Sequence, residues 1–316
     1  MSKKILANDG IDAKGKEILE KAGYYVETKK VPQENLITEI NSHNYVALTV
    51  RSATKVRKYL IDACPNLKVI GRGGVGMDNI DVEYARGKGL HVINTPTASS
   101  HSVAELVFAH FMGMVRFLYD SNREMPKKGN TEFDALKKKY AKGIELKGKT
   151  LGIVGFGRIG QEVAKIGLGL GMKVIAHDPF LKEALIEIDI HGHSPVRIKI
   201  ETLEMDKVLE ESDFLTLHVP GGKVIGADQF AIMKNGVCLV NAARGGVIDE
   251  HDLIEALNSG KVSHAALDVF VNEPTPMKEI LTHEKISLTP HIGAATEEAQ
   301  ERIGIELAEK MIAALS

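Results

Sequence analysis

Three side chains toward the C-terminal end of the chain carry groups suited to acid–base chemistry on an organic anion: Arg244, Glu273 and His291. The planar guanidinium of an arginine binds and orients a carboxylate well. A histidine exchanges protons near neutral pH, and a carboxylate beside it fixes the ring tautomer. Taken singly, each residue also has a plainer interpretation: a surface arginine in a glycine-rich turn, a loop acid before a proline, and a residue at the start of a helix.

A glycine-rich stretch, LGIVGFGRIG at Leu151–Gly160, has the spacing of a dinucleotide site. Gly155 allows a tight turn out of a strand, Gly157 the close approach of a pyrophosphate, and Gly160 the packing of a helix on the sheet. The helix N-terminus offers unpaired N–H groups to the pyrophosphate. Asp178, at the end of the next predicted strand, can hydrogen-bond the adenosine ribose and would repel a 2′-phosphate. The stretch therefore predicts NAD rather than NADP as the cofactor.

A second stretch, Gly71–Gly76, fits the same glycine pattern. The strand predicted after it ends in Asn94-Thr95-Pro96, with no acid to hold a ribose. Its plainer interpretation is a tight turn, and its functional interpretation is a loop whose N–H groups hold a substrate anion. A nicotinamide cofactor combined with the arginine, glutamate and histidine above suits hydride transfer to or from a hydroxy acid.

The elements that must position these groups alternate along the chain as strand and helix, which predicts parallel sheets and an α/β fold. Ligands of such sheets bind beyond the carboxyl ends of the strands. Arg51 and Ser52 follow one predicted strand directly, and Arg244, Glu273 and His291 follow three others. These side chains are therefore expected to meet a ligand.

Composition places the chain among globular proteins: 316 residues, 44% hydrophobic and 26% charged, enough for two domains. A formal net charge of −2 gives no reason to expect nucleic acid or a membrane surface as a partner. With no recognisable signal peptide and only Cys64 and Cys238, we expect a cytoplasmic protein without disulfides. His191 and His193 are interpreted as exposed, and no metal site is predicted.

Two segments leave alternatives open. Ser102–Tyr119 is predicted as one helix with a wide apolar stripe, which is either core or shared with a second subunit, and we expect a homodimer. The lysine-rich Pro126–Lys142 is predicted as a solvated connector, unless some of its lysines reach an acidic ligand. The polar excursion Ile188–Thr202 has no functional interpretation.

Over essentially its whole length the sequence resembles the D-isomer-specific 2-hydroxyacid dehydrogenases. The matching segments are Gly71–Asp81, Ser102–Leu106 (SVAEL), Leu146–Gly160, Leu217–Pro220, Asn241–Asp249 (NAARGGVID), Ala266–Pro274 (ALDVFVNEP) and Thr289–Thr296 (TPHIGAAT). The resemblance implies two doubly wound parallel-sheet domains. One is a discontinuous, flavodoxin-like substrate-binding domain over residues 1–98 and 292–316, and the other is an inserted Rossmann NAD-binding domain over residues 99–291.

The resemblance also assigns roles to residues, and the catalytic set that it implies is Arg244, Glu273 and His291. With the glycine motif, it implies the cofactor-binding residues Gly155, Gly157, Arg158, Ile159, Gly160, Asp178, His218, Val219, Pro220, Ala242, Asp268 and Gly293. Among these, Asp268 is expected to contact the nicotinamide amide. The substrate-binding residues that it implies are Arg51, Ser52, Arg72, Gly74 and Val75.

Within the family, Val50–Val56 (VRSATKV) and Gly71–Asp81 (GRGGVGMDNID) most resemble the members that oxidise D-3-phosphoglycerate to 3-phosphohydroxypyruvate, the first step of serine biosynthesis. That acid carries a carboxylate and a phosphate, so Arg51 and Arg72 can share its charge. We expect a short form without the C-terminal regulatory domain of some relatives. Two alternatives remain: a glyoxylate, hydroxypyruvate or other D-2-hydroxyacid dehydrogenase, and a non-enzymatic, NAD-sensing corepressor-like protein.

Overall fold

The computed structural model describes residues 3–316, which form two compact units. Unit 1 is Met1–Ser100 with Ala294–Ser316, of which residues 1 and 2 lie outside the described part, and unit 2 is His101–Gly293. The chain thus leaves the first unit, builds the second, and returns to the first. The predicted domain bounds lie slightly earlier at each crossing, and the functions predicted for the two domains are taken up below.

Unit 1 is a five-stranded parallel sheet with helices on both faces. Its strands are β1 (Lys4–Ala7), β2 (Tyr25–Glu27), β3 (Tyr45–Val50), β4 (Val69–Arg72) and β5 (His91–Asn94), in the order β2-β1-β3-β4-β5. Its helices are α1 (Ala13–Lys21), α2 (Leu36–His43) after a 3₁₀ turn (Gln33–Asn35), α3 (Lys58–Ala63), α4 (Val82–Gly87) and α13 (Glu297–Leu315). This strand order is that of flavodoxin-like sheets.

The returning C-terminal helix completes one face of unit 1. The apolar face of α13 packs with α1 against the sheet, through residues such as Leu307 and Met311. A Cβ at Gly15 would collide with the backbone of Gly304, so the two helices cross with their backbones in contact. The other face of the sheet packs against α2, α3 and α4.

Unit 2 contains a six-stranded parallel sheet and a separate antiparallel hairpin. Its strands are β6 (Thr150–Val154), β7 (Lys173–His177), β8 (Glu183–Ile188), β9 (Val196–Glu201), β10 (Phe214–Leu217), β11 (Val237–Asn241), β12 (Val262–Leu267) and β13 (Ile286–Leu288). Its helices are α5 (Ser100–Val115), α6 (Leu118–Lys128), α7 (Phe133–Lys139), α8 (Arg158–Gly169), α9 (Met205–Glu211), α10 (Ala227–Ile232), α11 (Glu250–Ser259) and α12 (Lys278–Thr282).

The large sheet of unit 2 has the order β13-β12-β11-β10-β6-β7, and all its pairs are parallel. All five residues of β6 are buried, as expected for a strand covered on both faces. Helices α5 and α8 cover one face of the sheet, while α9, α10 and α11 cover the other. The predicted fold class is therefore confirmed. Strand order reverses between β6 and β10, which is where ligands of such sheets bind.

The long helix predicted at Ser102–Tyr119 is wrong in one respect, because it breaks before its end. Phe117 has a left-handed backbone with φ of +54°, and α6 leaves α5 at a bend of 53°. The Phe117 ring lies against Tyr140 and His264, with centroids 6.0 and 6.3 Å apart. The break thus coincides with a tertiary contact of the Phe117 ring, which the local helical pattern does not reveal.

The predicted solvated connector over Pro126–Lys142 is mostly exposed, but more than half of it is helical, in α6 and α7. Leu136 is its buried apolar anchor, and Asp120 accepts hydrogen bonds from Lys139 and Tyr140 at 2.8 and 2.7 Å. The buried Leu136 and the two hydrogen bonds to Asp120 hold α7 against α6. Sparse contacts of this kind leave no apolar periodicity in the sequence.

The Ile188–Thr202 excursion belongs to the hairpin of β8 and β9. Alternate residues such as Ile186 and Ile200 face the core, and Lys199 pairs with Glu183 on the outer face. His191 and His193 are exposed at the turn. The hairpin follows β7, the edge strand of the large sheet, and is not part of that sheet. Thr202, just after β9, makes one parallel bridge to Ala176 of β7.

Within residues 3–316, no single helix is long and apolar enough to cross a membrane. Helices α5 and α6 reach that length and composition only together, across their bend. The apolar side of α5 is core, since Val107 and Phe111 are fully buried against the sheet.

Candidate active site

His291 and Glu273 form a hydrogen-bonded pair at the carboxyl edge of the unit 2 sheet. His291 Nδ1 lies 2.9 Å from Glu273 Oε2, and the two residues follow the neighbouring strands β13 and β12. Because an ionised carboxylate only accepts hydrogen bonds, Nδ1 carries the proton and Nε2 is left as a base. The side chains are 43% and 36% exposed, so a ligand can reach them.

The loops that carry this pair hold left-handed backbone at two residues, Asn272 with φ of +61° and His291 with φ of +56°. Such a conformation costs about 1 kcal/mol or more in a residue with a Cβ, so other contacts must maintain it. The N–H of Phe270 donates to Glu273 Oε1 at 2.9 Å, which turns the glutamate toward its own loop. Asp268 accepts hydrogen bonds from the loop that contains His291.

Arg244 follows β11, the next strand in the sheet. Asn241 shapes its turn by donating to the Arg244 carbonyl and accepting from the N–H of Ala243, each at 3.0 Å. A Cβ at Gly245 would collide with the carbonyl of Phe270, so the arginine loop lies directly against the glutamate loop. Arg244, Glu273 and His291 therefore project from three adjacent strand ends.

The three motif glycines have three different surroundings. Gly155 has φ of +90°, and a Cβ there would meet the carbonyl of His218, which follows β10. Gly160 lies in α8 against the backbone of Gly155, with no room for a side chain. Gly157 caps α8 and has nothing within 4 Å of an added Cβ. The helix N-terminus thus faces open space at the switch between β6 and β10.

In unit 1, two arginines stand at neighbouring strand ends. Arg72 is the last residue of β4 and pairs in register with Val50, the last residue of β3. Arg51 therefore follows directly after β3, beside the end of β4. Gly74 has φ of +138°, and a Cβ there would collide with the guanidinium of Arg72. The N–H of Gly74 donates to Thr95 Oγ1 at 2.7 Å, so this predicted anion donor already has a partner, which leaves Val75 as the predicted amide donor.

Comparison with known proteins decides the family. The profile of the D-isomer specific 2-hydroxyacid dehydrogenase NAD-binding domain matches residues 108–293. A hydroxypyruvate reductase from Thermotoga maritima is 43% identical over 98% of this chain and 97% of its own length. This chain belongs to the D-2-hydroxyacid dehydrogenases. It is an NAD-dependent dehydrogenase of that family.

Two further relatives show that this chain covers very different shares of the enzymes it resembles. A D-3-phosphoglycerate dehydrogenase from Methanocaldococcus jannaschii is 42% identical over 98% of this chain, but this chain spans only 56% of its length. The NAD⁺-bound 3-phosphoglycerate dehydrogenase of Entamoeba histolytica superposes with a TM-score of 0.76 at 29% identity, over 99% of this chain and 95% of that one. The dehydrogenase thus spans about half of one such enzyme and nearly all of another.

The carboxylate of Asp178 fits the ribose of NAD. Its oxygens accept hydrogen bonds from the N–H groups of Phe156, Phe180 and Leu181, at 2.8, 2.9 and 3.1 Å. A carboxylate has about four acceptor positions, so this one retains capacity for a ribose hydroxyl while its orientation is fixed. The bond to Phe156 also ties the acid to the glycine turn.

His218, which follows β10, also lies beside that turn. Its Nε2 lies 3.0 Å from Thr216 Oγ1, while its buried Nδ1 has no hydrogen-bond partner among residues 3–316. Burial lowers the pKa of His218 to about 3, so the ring is neutral. A neutral ring nitrogen without a partner fits a hydroxyl of a bound nucleoside, so the residues present fit NAD.

The remaining predicted cofactor residues lie at the carboxyl edge of the large sheet of unit 2, and their individual roles stay predictions. Arg158 and Ile159 open α8, while Val219 and Pro220 follow β10. Ala242 follows β11. Asp268 is buried and already accepts three hydrogen bonds from its own unit, so its predicted contact with the nicotinamide is not its only task.

Sequence analysis missed Asp9, which follows β1 in unit 1. It accepts hydrogen bonds from the N–H of Arg51 at 2.7 Å, from the N–H and hydroxyl of Thr54, and from Lys30. Burial acts to raise the pKa of Asp9, but these bonds outweigh it and lower the pKa below its usual value. Asp9 thus fixes the Arg51 loop, and its place at a strand end was the available clue.

Proposed function

We propose that this dehydrogenase oxidises D-3-phosphoglycerate to 3-phosphohydroxypyruvate with NAD. The observation that carries the proposal is the placement of Arg51 and Arg72 at the ends of the neighbouring strands β3 and β4. Two guanidinium groups at one sheet edge suit a small acid that carries both a carboxylate and a phosphate. In this proposal Arg51 and Ser52 bind the phosphate, and Arg72 with the N–H of Val75 binds nearer the carboxylate.

The reaction then follows from the groups of unit 2. Arg244 holds the substrate carboxylate, which orients the carbon that is oxidised. His291 takes the hydroxyl proton at Nε2, and Glu273, hydrogen-bonded at Nδ1, stabilises the imidazolium that forms. Bound NAD supplies the acceptor for the hydride that leaves the substrate. Reduction of the keto acid runs through the same groups in reverse, with His291 as the proton donor.

The second candidate function is reduction of hydroxypyruvate itself. The Thermotoga maritima relative that carries this name matches over nearly its whole length, whereas the Methanocaldococcus jannaschii enzyme extends well beyond this chain. Hydroxypyruvate and its 3-phospho derivative share one carbon skeleton and differ in the phosphate. The side chain that meets the phosphate, Arg51 in our proposal, therefore decides between the two.

The test compares kcat/KM for 3-phosphohydroxypyruvate and hydroxypyruvate, with NADH, in the wild type and in Arg51→Ala. We expect the wild type to prefer the phosphorylated acid. Arg51→Ala should lower kcat/KM for that acid by about 30-fold, because a hydrogen bond between charged groups contributes about 2 kcal/mol. Its kcat/KM for hydroxypyruvate should stay within about threefold of the wild type.

The matched control is Lys55→Ala, which removes an exposed cation from the same loop. It should leave the ratio between the two acids unchanged, which separates binding at Arg51 from general attraction by positive charge. Equal loss with both acids in Arg51→Ala, or faster turnover of hydroxypyruvate or glyoxylate by the wild type, would instead support the second candidate.

We also propose that the protein is a homodimer in the cytoplasm. Large apolar side chains lie exposed on α5, α6 and α7, among them Met112, Leu118, Tyr119, Met125 and Phe133. Exposed apolar side chains on three consecutive helices support a second copy of the chain as their cover. The two cysteines, Cys64 and Cys238, are free and buried, which suits a reducing compartment.

A further inference from the structure

Behind the loop that carries His291 lies a second, buried histidine. His110 of α5 is 5% exposed, and both of its ring nitrogens have hydroxyl partners. Nδ1 lies 3.0 Å from Ser287 Oγ, and Nε2 lies 3.1 Å from Thr289 Oγ1. Ser287 lies within β13 and Thr289 directly follows that strand, 177 and 179 residues after His110 in sequence. A helix and a strand end are thus joined by one imidazole.

The contact continues through Thr289 to Asp268. Thr289 Oγ1 donates to Asp268 Oδ1 at 2.7 Å. The same carboxylate accepts the N–H of Ile292 at 2.8 Å and that of Gly293 at 2.9 Å. Hydrogen bonds at positions 289, 292 and 293 therefore bracket His291 on both sides. We call the series His110, Thr289 and Asp268 the relay.

The donor and acceptor roles in the relay follow from its chemistry. Asp268 accepts from two backbone N–H groups, so the hydroxyl of Thr289 donates its hydrogen to that carboxylate. Thr289 Oγ1 must then accept from the ring, which places the proton of His110 on Nε2 and leaves Nδ1 to accept from Ser287. Burial lowers the pKa of His110, although Asp268 acts in the opposite direction, so the neutral ring suits the site.

Helix α5 holds the same loop at a second point. Ser102 Oγ donates to the carbonyl of Gly293 at 2.7 Å, so both polar groups of the Gly293 backbone are bound. A Cβ at Gly293 would lie 3.1 Å from Asp268 Oδ2, so a larger residue there would press against that carboxylate. Since His291 keeps a left-handed backbone, the loop needs restraint of this kind to point the imidazole at Glu273.

We propose that His110 is a positioning residue for the dehydrogenase reaction, acting through Thr289 and Asp268 to hold the catalytic histidine against Glu273. The proposal rests on the proposed role of His291 as the acid and base. His110 touches no reacting atom in this proposal. Its contribution is to hold the loop so that His291 stays within hydrogen-bond distance of Glu273, and small errors of position at a reacting group are costly.

The first experiment uses three single variants and one double variant of the full chain. His110→Leu removes both hydrogen bonds, and Thr289→Val removes the bridging hydroxyl. His110→Gln keeps a donor close to the position of Nε2. We expect kcat with NADH and either keto acid to fall about tenfold or more in His110→Leu and Thr289→Val, with KM within about twofold, and to recover largely in His110→Gln.

The double variant His110→Leu/Thr289→Val tests whether the two residues act in series. If they do, its kcat is no lower than that of Thr289→Val alone, because the second change removes nothing further. Multiplied losses in the double variant would overturn the relay. So would a His110→Leu protein with wild-type kcat.

A matched control separates positioning from stability. Met114→Ala removes another side chain of α5 that is buried in the core of unit 2 but takes part in none of the hydrogen bonds of the relay. It should lower the melting temperature as much as His110→Leu or more, yet leave kcat unchanged. Equal loss of kcat in Met114→Ala would show that the effect of His110→Leu is merely structural.

A second readout does not depend on turnover. The ring Cε1–H resonance of His291, assigned by its loss in His291→Asn, should move in His110→Leu and stay in place in His110→Gln. If the wild type turns over no keto acid, the proposed function fails while this spectrum still tests the relay. An unmoved His291 resonance in both His110→Leu and Thr289→Val would reject it.

Discussion

At the scale of single residues, the motif glycines show how one residue type serves separate needs. Gly160 has no space for a methyl group because the backbone of Gly155 lies against it. Gly157 has open space around it, at the N-terminus of α8. Packing explains the first glycine, whereas the second is where we propose that the pyrophosphate of the cofactor approaches the backbone. Substitution by alanine should therefore separate folding from cofactor binding.

We predict that Gly157→Ala folds with wild-type stability but binds NADH at least about tenfold more weakly, because its methyl group projects into the pyrophosphate position. Gly160→Ala should instead lower the free energy of unfolding by about 1–3 kcal/mol, since the backbone contact must open. Urea unfolding and NADH fluorescence titration measure the two effects.

The control for this pair is Gly169→Ala, at the other end of α8, where an added Cβ also meets nothing within 4 Å. It should alter neither quantity greatly. Tight NADH binding by Gly157→Ala would contradict the placement of the pyrophosphate at this helix N-terminus.

At the scale of elements, the hairpin of β8 and β9 is held by one face only. Ile186 is 1% exposed in the core beside α8, while its neighbour Leu185 is 61% exposed on the opposite face. The outer face also carries the ion pair of Arg197 and Glu187, whose side chains are 63% and 45% exposed. Exposed pairs contribute little to stability, so the apolar face anchors the hairpin.

Adjacent truncations test that anchoring. Ile186→Ala should lower the free energy of unfolding by about 3 kcal/mol, because it leaves a cavity in the core. Leu185→Ala, the matched control one residue away, should change it by less than about 0.5 kcal/mol. Urea denaturation followed by circular dichroism measures both. A similar cost for the two would mean that the hairpin does not alternate as described.

At the scale of the whole molecule, the apolar surface decides what the chain assembles with. The stripe of α5 is mostly core, so the exposed apolar residues lie largely on α6 and α7, the part of the chain that sequence analysis assigned to a solvated connector. Leu118 and Tyr119, at the start of α6, are 63% and 66% exposed. The proposed homodimer therefore uses α6 and α7 as well as α5.

Light scattering of the purified protein should give about twice the chain mass of 34.4 kDa. Leu118→Lys should shift that mass toward one chain, because burial of a charge at an apolar interface is costly. Phe180→Lys, which changes a 96% exposed ring elsewhere in unit 2, serves as the control and should leave the mass unchanged. A wild-type monomer at micromolar concentration would reject the dimer.

The sequence by itself determined the local parts of this protein. Strand and helix alternate visibly, the spacing of Gly155, Gly157 and Gly160 predicts a dinucleotide turn, and family resemblance points to His291 and its partners. These patterns depend on neighbours within a few residues, so one chain is enough to see them. The sequence did not predict α7 or the bend before α6, because charged groups and one leucine hold this helix pair together and leave no apolar period.

Only the tertiary structure decided the rest. It set the break at Phe117, the distance between His291 and Glu273, and the relay from His110. Nothing near His110 in sequence distinguishes it from any other polar residue on an apolar helix. Its meaning depends on hydroxyl groups that follow it by 177 and 179 residues. Such contacts form because buried polar groups must find partners wherever packing places them, and packing is a property of the folded chain.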